Sequence, residues 1–156
     1  YKCTCTSPTL KDGSHTISVK ASDNDGNAAA AKTATFTVDT VPPTLQITAP
    51  SNDLVTNKKT VTITGKTDDV TSKPVTVTVN GATVTVGTDG TFTKEVTLVE
   101  GANTITIVAK DKAGKTTTVT RKVTVDTSAP VIKSITLTPN PVDCGKTFII
   151  AVEITD

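Results

Sequence analysis

The chain has 156 residues, a formal net charge of +1 and neither Trp nor Met, with charges of both signs spread along it in runs of three at most. That balance supplies no basic field for nucleic acid and no acidic tail, and no apolar run approaches the roughly 18–20 residues with which a helix crosses a bilayer. Threonine makes up nearly a quarter of the residues against 3% aromatics, a bias toward pleated, half-solvated strands.

Taken in chain order, the first 39 residues carry strand alternation at Ile17, Val19 and Ala21 and again at Phe36 and Val38. A linker, Asp39-Thr40-Val41-Pro42-Pro43, then stiffens the chain with proline. From residue 44 a fuller pattern begins. Leu45 to Ala49 reads as a short strand, and Val61 and Ile63 alternate with Thr60, Thr62 and Thr64 on the next. Val75, Val77 and Val79 lead into Asn80-Gly81, a two-residue turn whose central positions need positive φ, and Val84 and Val86 return, so residues 73–87 form a hairpin.

Thr88-Asp89-Gly90 turns the chain into a segment carrying Phe92, Val96 and Leu98, whose spacing accommodates one bulge. Glu100-Gly101 turns it again. Ile105, Ile107 and Ala109 face inward on the following strand, Asp111 to Gly114 turns, and Val119, Val123 and Val125 line the last. The linker then recurs as Asp126-Thr127-Ser128-Ala129-Pro130. Beyond it, Ile132, Ile135 and Leu137 precede the Pro139-Asn140-Pro141 break, and Phe148, Ile150, Val152 and Ile154 read as a further strand.

The chain repeats itself. Leu10-x-Asp12-Gly13-Ser14-His15-Thr16-Ile17 returns as Leu98-x-Glu100-Gly101-Ala102-Asn103-Thr104-Ile105 at an offset of 88, and the linkers match at 87. The predicted fold class is therefore all-β: tandem immunoglobulin-like β-sandwiches, one complete and two partial. Residues 1–39 are the C-terminal part of one module, 44–126 a complete module of about seven strands, and 130–156 the N-terminal part of another. The unmatched ends and the missing initiator Met lead us to expect a piece of a longer chain, with any targeting segment outside it. Phe36, Phe92 and Phe148 are the bulky core candidates, and Val, Ile, Leu and Ala make up the rest.

Pro43-x-Leu45-x-Ile47, Val61-x-Ile63-x-Gly65, Val79-Asn80-Gly81, Leu98-x-Glu100-Gly101-x-Asn103, Ala109-x-Asp111-x-Ala113-Gly114 and Val125-Asp126 together resemble the bacterial immunoglobulin-like repeats, particularly modules of the glucodextranase type. Asp12-Gly13-x-His15-Thr16 and Asp23-x-Asp25-Gly26-Asn27 resemble related repeats of large adhesins, and Thr138-Pro139-Asn140-Pro141-Val142 departs from both. The resemblance implies a location outside the bacterial cell or on its surface. It also implies stalk, spacer or adhesive work rather than one fixed function.

The candidate chemistry is sparse. Asp23-Asn24-Asp25-Gly26-Asn27 opens like a calcium loop, but its Gly is at the fourth place and Ala34 stands at the twelfth, so a hairpin turn explains it better. A sandwich places the turn before its last strand at the end where the chain enters, so Asp111, with Asp68 and Asp69, is expected to approach Asp39. Carboxylates meeting there suit an interdomain Ca²⁺; the simpler expectation is solvated turn residues and a surface ion pair with Lys112. No other cofactor is expected. His15 has no nucleophile or metal partner in any motif and reads as structural, no catalytic signature occurs, and the chain is read as non-enzymatic.

Three cysteines leave at least one thiol unpaired within the chain. A Cys3-Cys5 bridge is disfavoured by strand geometry, whereas Cys144 with Cys3 or Cys5 offers an intersubunit disulfide. The expected partners are neighbouring immunoglobulin-like modules, with other subunits or surface glycans as further candidates and no nucleic acid or membrane insertion. The leading functional expectation is a spacer that holds a distal domain away from its anchor. Two alternatives stand beside it. One is an adhesion or filament module completed by strand exchange, although the two end pieces together fall about twenty residues short of a repeat. The other is an accessory domain of a polysaccharide-degrading enzyme.

Overall fold

The computed structural model of the chain describes Thr6 and residues 8–138, 140–141 and 144–156. Alternation becomes strand throughout, with no helix among the described residues. Strands β1 (Gly13–Val19) and β2 (Lys32–Val38) form an antiparallel ribbon. The complete unit holds β3 (Thr44–Ala49), β4 (Leu54–Thr56), β5 (Thr60–Asp68), β6 (Thr76–Val79), β7 (Ala82–Val84), β8 (Thr91–Thr97), β9 (Gly101–Lys110) and β10 (Thr116–Val125). A last antiparallel ribbon pairs β11 (Val131–Thr138) with β12 (Ile149–Thr155).

The complete unit is an immunoglobulin-like sandwich of two sheets, one in the order β3-β5-β8 and one in the order β4-β10-β9-β6-β7. Their inner faces meet in a core of Ile63, Val77, Val79, Phe92, Leu98, Ile105, Ile107, Ala109, Val123 and Val125, all buried. These are the positions the period-2 pattern assigns to one face. The Asn80-Gly81 turn has φ of 47° and 81°, as a two-residue hairpin requires.

The internal repeat extends to pairing. Gly13 faces Val38 and His15 faces Phe36 in the first ribbon, just as Gly101 faces Val125 and Asn103 faces Val123 in β9 and β10. His15 also does what Asn103 does. Its Nε2 lies 2.7 Å from the Lys11 carbonyl, while Asn103 Nδ2 donates to the Val99 carbonyl at 2.8 Å, the equivalent position one repeat on.

Three expectations change. The complete unit has eight strands, because β4 runs parallel to β10 after the chain crosses between sheets at Pro50. The segment after Gly90 contains no bulge: β8 pairs with β5 in unbroken register, and Lys94 takes the inward-facing position between Phe92 and Val96. The irregularity sits in β3 instead, between Ile47 and Ala49. Finally, only Phe92 is a core residue, since Phe36 is 38% and Phe148 50% exposed. Phe36 lies in a two-stranded ribbon and Phe148 just ahead of one, with no second sheet over either ribbon among the described residues, which also leaves Ile17 and Ile150 more than half exposed.

Candidate functional site

Buried polar groups gather at one end of the sandwich, where the linker enters. Thr67, Asp69, Ser72 and Asp111 are all below 8% exposure. The alternation that points Ile63, Gly65 and Thr67 inward on β5 carries through to Asp69, which turns inward while Asp68 faces solvent. Thr67 donates its hydroxyl to the Thr44 carbonyl at 2.6 Å, and Thr117 donates to the Pro43 carbonyl at 2.5 Å, fixing the linker end against β5 and β10.

Carboxylate oxygens of Asp39, Asp69 and Asp111 lie within 4.8 Å of one another. Each is anchored locally through Oδ1. Asp39 accepts from the Val41 amide at 3.2 Å, Asp69 from the Thr71 and Ser72 amides at 2.8 and 2.6 Å, and Asp111 from the Lys115 amide at 2.8 Å. That leaves Oδ2 of Asp39 and of Asp111 shielded from solvent with no hydrogen-bond partner among the described residues. Asp39 as a whole is half-buried, Asp69 and Asp111 fully so. The arrangement is a hard, all-oxygen donor set drawn from the linker and from two turns of the complete unit.

Asp68 does not join them. It pairs with Lys73 at 2.8 Å, and the Lys73 ammonium holds its carboxyl below the usual aspartate range. The surface ion pair expected with Lys112 does not form among the described residues, and Asp111 accepts from the Lys115 amide instead. Lys112 lines the crevice beside Asp39 with Phe36, Ser72 and Lys73. Asp23 closes its own turn: it accepts from the Asp25 and Asn27 amides and from Asn27 Nδ2, the last contact being the main reason its carboxyl sits low. Cys144 is an exposed free thiol, while Cys3 and Cys5 lie outside the described residues.

A second device went unread in the sequence. Thr40 donates its amide to Asp12 Oδ1 at 3.1 Å and its hydroxyl to Asp12 Oδ2 at 2.9 Å. One repeat later, Thr127 donates its amide to Glu100 Oε1 at 2.9 Å and its hydroxyl to Glu100 Oε2 at 2.8 Å. The following residue pair repeats too, with Val41 donating to Asp39 and Ser128 donating to Asp126 at 3.0 Å. Both linkers are therefore gripped by the same bonds. The signal was present in the matched offsets of the acidic turn and the linker threonine, neither of which stands out alone.

Residues 43–127 match the family described as glucodextranase, domain B, and residues 1–40 match the one described as bacterial Ig-like domain. Bacillopeptidase F of Bacillus subtilis (strain 168) is 33% identical over 126 residues, which is 81% of this chain and 9% of that protein, so the chain spans a small part of that relative. Among solved structures, the fibronectin(III)-like modules of Clostridium thermocellum CbhA are 25% identical over 75% of this chain and 64% of theirs, with a TM-score of 0.44. A tetra-tandem repeat from the extending region of a large adhesion protein is 23% identical over 92% of this chain and 46% of its own, with a TM-score of 0.46.

Proposed function

Because the chain belongs to the glucodextranase domain B family of bacterial immunoglobulin-like modules, with a bacterial Ig-like unit ahead of that module, we propose that it is a non-catalytic spacer. It forms part of an extracellular or cell-surface multidomain protein and holds a distal domain away from its anchor. The observation that carries this reading is the recurrence of the carboxylate–threonine grip, Asp12 on Thr40 and Glu100 on Thr127, at both linkers. A linker that only needed to connect modules has no use for repeated bonds that restrict it, whereas one that transmits reach does. Each unit contributes on the order of 40 Å, from strands of about ten residues plus their turns.

Small-angle scattering on the 156-residue chain tests the reading. An elongated particle is expected, and the Asp12→Ala/Glu100→Ala double variant is expected to keep its strand circular dichroism while sampling shorter end-to-end distances. A compact wild-type particle, or one as flexible as the variant, overturns it.

The family name and the likeness to a stretch of Bacillopeptidase F support a second reading, in which the same spacer is an accessory segment of a hydrolase. A catalytic domain encoded in the same open reading frame distinguishes the two.

A further inference from the structure

We propose that Asp39, Asp69 and Asp111 bind one divalent cation, Ca²⁺ in preference to Mg²⁺, at the junction between the first linker and the complete unit. Two independent observations meet here. The first is convergence: oxygens from three carboxylates far apart in sequence lie within 4.8 Å of one another. The second is the state of the oxygens themselves. Asp111 is only 4% exposed, and its Oδ2, like that of Asp39, is shielded and unpartnered among the described residues.

A buried carboxylate oxygen without a donor is costly, and two carboxylates that each carry one and converge on a third are costlier still. The neighbouring cations do not relieve them. Lys73 is engaged by Asp68, and that contact is the ion pair found among the described residues, so Lys112 pairs with none of the three. The backbone has instead been used to hold each Oδ1 in place, which orients the other oxygen without neutralising it.

Donor chemistry selects the ion. Three carboxylates with no His or Cys in the group suit a hard cation rather than zinc or copper. Calcium holds oxygens at about 2.3–2.6 Å and so bridges pairs up to about 5 Å apart, whereas magnesium, at about 2.0–2.1 Å, reaches little beyond 4 Å. Main-chain carbonyls and water complete a sphere of six to eight oxygens. The consequence is mechanical. Asp39 belongs to the linker and the other two to turns of the complete unit, so a bound ion ties one to the other.

Calcium chloride titrated into the chelator-treated 156-residue chain, followed by calorimetry, tests this directly. One equivalent is expected to bind, with magnesium at least tenfold weaker. Both Asp39→Asn and Asp111→Asn are expected to weaken calcium binding at least tenfold, while Asp68→Asn leaves it unchanged. Asp39→Asn lies outside every strand of the complete unit, so its loss of binding cannot come from a misfolded sandwich. Absence of binding up to about 10 mM calcium, beyond the range of extracellular modules, overturns the site, and binding that survives both triad substitutions overturns the assignment. Magnesium binding as tightly as calcium overturns the preference. The readout is heat, not shape, so it can fail while the spacer reading stands.

Discussion

Gly65 and Phe92 face each other across β5 and β8, and the ring occupies the place a larger residue at 65 would need. A Cβ added to Gly65 would lie 2.6 Å from the Gln46 carbonyl and 2.7 Å from the Phe92 ring, and the backbone oxygen cannot swing away. Gly65→Ala is expected to destabilise the complete unit by about 1–3 kcal/mol in urea unfolding, the usual cost of forcing atoms into a packed core. Glu100 makes a different demand. The Thr127 amide, then its hydroxyl, hold the Glu100 carboxyl below its ordinary value of 4.5. A carboxylate depressed in the folded state stabilises above its unfolded value and loses that contribution as pH falls through the folded one. NMR titration is expected to place the Glu100 midpoint below 4.5, and Thr127→Ala to move it up. The acidic residues show what sequence could resolve at this scale. Their meeting at the entry end followed from topology, but Asp68 and Asp69 were separable only by extending the β5 alternation from Ile63 through Thr67, which places Asp69 inward.

Strands were legible wherever alternation ran for four residues or more, because one dry face is a physical requirement of a sandwich. β4 was not, since three residues between a proline turn and Lys58 carry no period, and its parallel pairing with β10 depends on the crossing chain rather than on its own sequence. Arg121 holds that crossing. Its Nε donates to the Pro50 carbonyl and its terminal nitrogen to the Ile47 carbonyl, both at 3.2 Å. Arg121→Met, which keeps the stem and removes the donors, is expected to cost about 1–3 kcal/mol, the price of half-buried carbonyls left unpaired. The hairpin at Asn80 was readable as a turn but not as a tie: Asn80 Oδ1 accepts from the Thr106 amide at 2.8 Å, and the Asn80 amide donates to the Thr106 carbonyl at 2.8 Å. Asn80→Ala therefore loses both left-handed tolerance and a bond to β9, and about 1–3 kcal/mol of stability in the same assay.

Across the whole chain, stability is unevenly distributed. The complete unit buries both inner faces, whereas the two-stranded ribbons leave Ile17, Ile132 and Ile150 open, and isolated two-stranded ribbons are marginal in water. Hydrogen exchange is expected to be slowest at the amides of β5, β9 and β10 and fastest in β1, β2, β11 and β12. Equal protection in all of them would show that the ribbons are covered by something other than this chain's own strands.

The matched grip on Thr40 and Thr127 has one further consequence. Each grip ties a linker to the unit it leaves, so every linker that repeats these bonds departs from its unit along the same line. Whatever follows a linker then starts from the same exit line at each joint, so that breaking one grip would loosen one joint and leave the other as it was.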